Sequence, residues 1–302
     1  MGKKKYDAVS GLSLDIYGND SLAVVGESGC GKTTLGLSVL NILPQEAEIS
    51  AGEIYFRGRG LLGLDKNEMT KIRGGKIGMI FQDPLSSLNP VIRIDEQLRE
   101  TLRAHGRDFS DGKIEELLGT VQLAPAGQIM SSYPHQLSGG MRQRIMIAQA
   151  LCAQPEILIA DEPTTALDVT TQKEILDLLK KLVKDFNLTL IFITHNFSII
   201  AGLCRRLAVM YAGEIVEEGD LKAIFGAPRH PYTSELLSIM PDIDSAGGRF
   251  NAIAGEAPDL STLPDACWFA PRCPRRIEKC LSKHPQIESV GGRMFRCYNP
   301  VP

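Results

Sequence analysis

Short apolar runs recur along the chain at Ser21 to Val25, Ile77 to Phe81, Ile157 to Ala160 and Leu188 to Thr194, with helical patterns between them. That alternation predicts strands of a parallel sheet joined by helical crossovers, an α/β fold. Between Pro90 and Gln154 the pattern turns helical, over Ile94 to His105, Gly112 to Val121 and Met141 to Ala153, with breaks at Pro125, Pro134, Gly139 and Gly140. This predicts a helical insert at residues 91–153. After Phe225 the texture changes: prolines stand at 228, 231, 241, 258, 264, 271, 274, 285, 300 and 302, and four cysteines lie between 267 and 297. Residues 226–302 therefore read as an extension that follows a main domain of residues 1–225. No internal repeat is visible, which argues against a solenoid.

Composition adjusts this picture only slightly. At 302 residues, 43% hydrophobic and 23% charged, the chain can bury a sizeable core. A formal net charge of −3 supplies no field toward nucleic acid or an anionic membrane, so no nucleic-acid partner is expected. Apolar runs such as Leu188 to Ile193 fall far short of the ~18 residues of a membrane span, so a soluble chain is expected. The basic start, Met1 to Lys5, is followed by polar Tyr6, Asp7 and Ser10 where a secretory signal would be apolar. Seven cysteines without an export signal favour reduced thiols or a metal centre in the cytoplasm.

The first chemical motif is Gly26-Glu27-Ser28-Gly29-Cys30-Gly31-Lys32-Thr33, which fits G-x-x-x-x-G-K-[ST] between the apolar Leu22 to Val25 and the helical Leu35 to Leu40. Phosphate oxygens need convergent backbone N–H groups, which a glycine-rich turn can aim inward, and a following helix N-terminus adds its dipole. Lys32 would pair the β- and γ-phosphates of ATP, Thr33 would ligate Mg²⁺, and Thr34 completes the nucleotide-binding set. The second motif is Ile157-Leu158-Ile159-Ala160-Asp161-Glu162, an apolar strand that delivers two carboxylates at its C-terminal end, where open α/β sheets bind ligands. Asp161 suits Mg²⁺, and Glu162 suits the proton of a water that attacks the γ-phosphate.

Between them lies Leu137-Ser138-Gly139-Gly140-Met141-Arg142-Gln143-Arg144, which resembles the signature motif of ABC ATPases. Gln82 is similar to that family's Q-loop glutamine, Ala166-Leu167-Asp168 to its D-loop, and His195 to its H-switch. These elements occur in family order over Ala8 to Glu217, and the sequence is identified as a member of the ABC transporter nucleotide-binding subunits. The resemblance implies a P-loop ABC ATPase core with an antiparallel β subdomain and a helical subdomain. It also implies a second ATPase subunit, a sister chain or a second copy, so that two ATP molecules are sandwiched head to tail. Ser138, Gly139 and Gly140 would then contact the γ-phosphate on the partner's loop, and Asp168 would cross the interface. His195 would contact the γ-phosphate and orient the water with Glu162. Gln82 would sense Mg²⁺ and water while its loop touches a membrane subunit. Met141 stands where the family usually has Gln, and Tyr6 is the candidate for the aromatic that stacks on adenine.

The extension holds Cys267, Cys273, Cys280 and Cys297 in the pattern C-x5-C-x6-C-x16-C. Structural zinc usually uses C-x2-4-C knuckles, which are absent, whereas iron–sulfur clusters accept more varied spacing, so a [4Fe–4S] cluster is expected with zinc as the alternative. Four free thiols in a small appendage is the other reading. Arg272, Arg275, Arg276 and Lys279 beside them read as a solvated basic face. With His230-Pro231-Tyr232-Thr233 and Gly255-Glu256-Ala257-Pro258, the segment resembles the C-terminal extension of oligopeptide and dipeptide importer ATPases, some of which carry such a cluster.

The resemblance implies an ATP-hydrolysing subunit, peripheral on the cytoplasmic face of the cell membrane. It would dock on two membrane permease subunits and be supplied by an extracellular solute-binding protein. Import of nickel or another chelated metal is the alternative to peptides. DNA-repair and translation relatives carry long coiled-coil insertions or a second cassette, and a purely regulatory module would lack Glu162 or His195.

Overall fold

The computed structural model describes residues 5–165, 167–239 and 253–302. The first four residues of the basic start, Ala166 of the D-loop segment and Pro241 lie outside the described residues. The strands in chain order are β1 (Ser21–Val25), β2 (Tyr55–Phe56), β3 (Arg59–Gly60), β4 (Ile77–Ile80), β5 (Ile157–Asp161), β6 (Thr189–Thr194), β7 (Arg206–Tyr211), β8 (Glu214–Asp220), β9 (Glu288–Val290) and β10 (Arg293–Phe295). The four apolar runs that predict strands coincide with β1, β4, β5 and β6 to within a residue at each end. The chain divides into two compact units.

One unit gathers the described parts of Met1–Ile16, Asp20–Leu35 and Ile193–Pro302. Its strand order is β1-β7-β8-β10-β9. β1 runs parallel to β7, with Leu22 opposite Arg206 and Val25 opposite Val209. β7 and β8 are antiparallel, with Tyr211 opposite Glu214. β8 pairs antiparallel with β10, and β10 with β9, so the C-terminal extension contributes two strands to the sheet that carries β1.

β8 has the sequence Glu-Ile-Val-Glu-Glu-Gly-Asp, which hydrophobic patterning does not mark as a buried strand, yet only Asp220 is exposed. Its carboxylates are accommodated by partners. Glu217, fully buried, accepts from the Arg229 and His230 backbone N–H groups at 2.8 and 2.9 Å and from Arg293 Nη2 at 2.6 Å. Glu214 meets Arg296 Nε at 3.1 Å and His284 Nε2 at 3.0 Å, and Glu218 pairs with Arg206. Buried charge is tolerated only when paired and hydrogen-bonded in this way. Five of these partners, Arg229, His230, His284, Arg293 and Arg296, belong to the extension. An aromatic cluster fastens it further: Phe269 packs 5.2 Å from the Tyr211 ring and 5.3 Å from that of Tyr232, in edge-on geometry.

The other unit comprises Tyr17–Asn19 and Gly36–Phe192. In it β4 and β5 run parallel, with Ile77 opposite Ile157 and Ile80 opposite Ala160, and β2 and β3 form a short antiparallel pair. Helices at Ile94–Ala104, Asp111–Thr120, Ala126–Ser131 and Gly139–Leu151 occupy the stretch that reads as a helical insert. The helix Val169–Asp185 buries Ile175, Leu178, Leu179 and Leu182, the i, i+3, i+4, i+7 stripe of an amphipathic helix. Among the described residues no helix is long and apolar enough to cross a membrane.

Candidate functional site

The phosphate loop follows directly from β1, and its backbone leaves no room for side chains at two points. A Cβ on Gly26 would lie 2.2 Å from the Met210 carbonyl oxygen of β7. Gly31 has φ +101° and a Cβ there would lie 2.3 Å from the Ala8 carbonyl oxygen. Only glycine meets both demands. The helix Lys32–Val39 starts at the loop's end, so its first N–H groups and its dipole face the loop.

Lys32 is 5% exposed and bends back into the loop, with Nζ 2.8 Å from the Gly26 carbonyl and 2.9 Å from that of Glu27. Its charge is therefore held by neutral dipoles at the centre of a turn rich in N–H groups, a fit for a polyphosphate. Ser28, Gly29 and Thr33 are exposed, Thr34 is half-buried, and Cys30 is buried beneath the loop. Burial pushes the Cys30 thiol up despite the neighbouring lysine, so it is an inert filler.

In the other unit β5 delivers Asp161, 2% exposed, and then Glu162, 9% exposed. Glu162 takes φ 45°, a left-handed conformation that is uncommon outside glycine and that turns the chain sharply at the strand end. Its carboxylate oxygen Oε2 accepts from Thr165 Oγ1 at 2.7 Å and from Gln82 Nε2 at 3.4 Å. The structure thus brings Gln82 and the strand-end glutamate together, and it adds Thr165, which sequence reading missed. A threonine three residues past the carboxylate carries no signal until the turn at Glu162 is known.

Ser138 is the N-cap of the helix Gly139–Leu151, its Oγ accepting from the Met141 N–H at 3.3 Å. Asp168 caps the helix Val169–Asp185, accepting from the Thr170 and Thr171 N–H groups at 3.1 and 3.0 Å. Hydrogen bonds from Thr171, backbone first, hold its carboxyl below the ordinary carboxylate range. Gly139 and Gly140 form the first turn of their helix. In the first unit, His195 follows β6 and is exposed, and Tyr6 is 58% exposed.

The cysteine reading is corrected. Among the described residues no group of three or more His, Cys, Asp or Glu side chains is arranged to hold a metal ion. Neither the expected [4Fe–4S] cluster nor the zinc alternative is supported at Cys267, Cys273, Cys280 and Cys297. All four are free; Cys280 and Cys297 are buried, Cys267 and Cys273 half-buried. Burial, the largest influence on each, pushes the Cys267 thiol to about 12 and that of Cys297 to about 11, and raises that of Cys273. The segment is organised by hydrogen bonds instead, among them Cys267 N–H to the Cys280 carbonyl at 2.9 Å and Tyr298 O–H to the His284 carbonyl at 2.9 Å. The solvated-face reading of Arg272 is likewise corrected: its side chain is 4% exposed and paired with Glu27.

Comparison with known proteins places these features in context. The sequence profile described as "ABC transporter" matches residues 9–165, and that described as "Oligopeptide/dipeptide transporter, C-terminal region" matches residues 216–280. The oligopeptide transport ATP-binding protein OppD of Escherichia coli (strain K12) is 43% identical over 297 residues, covering 97% of this chain and 88% of that one. The dipeptide transport ATP-binding protein DppD of Bacillus subtilis (strain 168) is 45% identical over 282 residues, covering 92% and 84%. A solved ATP-binding cassette in a dimeric, post-hydrolysis state bound to ADP and Pi superposes with a TM-score of 0.63 at 33% identity, covering 73% of this chain and 94% of that one.

Proposed function

The chain belongs to the ABC transporter ATPases of the oligopeptide and dipeptide transport group, and from that membership we propose that it hydrolyses ATP to drive the import of di- or oligopeptides. One observation carries the reading: a single chain joins the cassette segment, residues 9–165, to the peptide-transporter C-terminal region, residues 216–280. The nickel or chelated-metal alternative is not favoured, because these relatives are oligopeptide and dipeptide transport proteins. The working division is a nucleotide-binding domain of residues 1–225, with its helical part at 91–153, followed by an extension at 226–302.

The roles proposed for the residues are those that the ABC ATPase resemblance implies. The loop from Gly26 to Thr34 wraps the triphosphate, and the Lys32 ammonium moves from the carbonyls of Gly26 and Glu27 to the β- and γ-phosphate oxygens. Thr33, Asp161 and Gln82 offer the hydroxyl, carboxylate and amide oxygens that hard Mg²⁺ prefers, and they would hold it. Magnesium, when bound, neutralises charge on the phosphate oxygens. Glu162, oriented by Thr165 and Gln82, accepts a proton from water as the water oxygen attacks the γ-phosphorus. The bond from that phosphorus to the bridging oxygen breaks, and ADP leaves. His195 orients the water and contacts the γ-phosphate, while Tyr6 stacks on adenine.

Ser138, Gly139 and Gly140 of one subunit complete the site on the other, with Asp168 at the interface. The subunit works on the cytoplasmic face of the membrane, docked through the Q-loop on two permeases and supplied by an extracellular solute-binding protein. Reconstitution with those subunits in proteoliposomes tests this. Di- or oligopeptides should stimulate ATP hydrolysis, whereas stimulation by nickel chelates and not by peptides would contradict it.

A further inference from the structure

The C-terminal extension reaches the phosphate loop itself. Arg272 grips Glu27, the second residue of the loop, with both arms of its guanidinium: Nη1 to Oε2 at 2.6 Å and Nη2 to Oε1 at 2.8 Å. The guanidinium is itself fixed, since Nε donates to the Ala254 carbonyl at 3.0 Å, Nη2 reaches the Ile253 carbonyl at 3.4 Å, and the group lies 5.9 Å from the Tyr211 ring centroid. A second residue past the cassette segment, Tyr232, is fully buried, and its hydroxyl accepts the Glu27 backbone N–H at 3.0 Å. Both the side chain and the backbone of one loop residue are thus held from outside the loop.

This arrangement answers an electrostatic difficulty. Glu27 places a carboxylate in a turn whose proposed work is to receive a polyphosphate, and like charges repel. A bidentate arginine cancels that charge and fixes its direction, which a lysine, as a mobile point charge, does less well. We propose that Arg272 and Tyr232 are positioning residues for nucleotide binding: the extension neutralises Glu27 and holds its backbone so that the loop is ready for phosphate. The inference rests on the reading that this loop binds ATP.

Titration of the full-length protein with MgADP tests it as a double-mutant cycle. Arg272→Ala should weaken binding about tenfold in the parent protein, yet less than about twofold in a Glu27→Gln background, where no charge is left to cancel. Arg272→Lys should fall between, at about threefold, and Tyr232→Phe, which keeps the ring but loses the acceptor, should cost about threefold. In the assembled transporter, Arg272→Ala should raise KM for ATP and leave kcat within about twofold.

Parent-like affinity in Arg272→Ala overturns the proposal. So does an equal loss in the Glu27→Gln background, which would mean that Arg272 acts only by packing the extension. If Arg272→Ala does not fold, the cycle is run with Arg272→Lys and the same criterion applies. Absence of MgADP binding by the parent protein would instead overturn the nucleotide reading, and this inference with it.

Discussion

The phosphate loop and the extension both keep charge out of water, and they balance it in opposite ways. At the loop, Lys32 is 5% exposed and rests on the carbonyls of Gly26 and Glu27, so its positive charge is solvated by dipoles but not cancelled. In the extension, charge meets charge: Arg293 with Glu217 at 2.6 Å, Arg296 with Glu214 at 3.1 Å. A cation held by dipoles can change partners when an anion arrives, whereas a cation closed on a carboxylate is structural. Arg272 lies between these cases, because it is closed on a carboxylate that belongs to the loop.

Three perturbations sharpen the contrast, in falling order of effect. Lys32→Ala removes the charge that the proposed function assigns to the nucleotide, so ATP hydrolysis should drop by about 100-fold or more, with weakened MgADP binding and little change in stability. Unchanged nucleotide affinity by calorimetric titration would show that the charge is structural after all.

Arg293→Met should do the reverse. It strands the Glu217 carboxylate in the interior with only backbone donors, and destabilisation of about 3 kcal/mol is expected in denaturant unfolding. Parental stability would mean that the pairing is incidental.

The smallest effect is a pH dependence. His230 is buried and its Nδ1 accepts the Tyr232 N–H at 3.1 Å; burial, the largest influence, lowers its pKa from 6.5 to about 3. The unfolded chain therefore binds a proton that the folded one refuses below pH 6.5, and stability falls as pH drops. Between pH 7 and pH 5 this amounts to about 2 kcal/mol. His230→Gln should flatten that part of the profile in unfolding midpoints measured across the range; a profile as steep as the parent's would contradict the assignment. His284 works in the opposite sense. Burial, the largest single influence, lowers its pKa, but the hydrogen bonds to Glu214 and to the Ala266 carbonyl together with the Glu214 charge outweigh it and the net shift is upward, so its contribution is present at low pH and fades as pH rises above 6.5.

These contrasts also explain what could be read from the sequence. β1, β4, β5 and β6 were legible because each is a continuous apolar run buried on both faces. The phosphate loop was legible because contiguous residues specify local backbone geometry. β8 was hidden because its glutamates are buried against arginines and a histidine from far along the chain, which no local window contains. The cysteines misled for the same reason. Spacing between Cys267 and Cys297 says which thiols are near in sequence, not whether they are arranged to hold a metal, and among the described residues no such group is found. Arg272 read as solvated because its partner, Glu27, lies 245 residues away.

The central chemical claim is that Glu162, set in a left-handed turn and oriented by Thr165 and Gln82, takes the proton of the attacking water. Single-turnover ATP hydrolysis by the assembled transporter tests it most directly. Glu162→Gln should keep ATP bound and slow its cleavage by about 100-fold or more, since the amide retains the shape of the carboxylate but cannot accept the proton. Cleavage at the parental rate, with ATP bound equally well, would contradict the assignment.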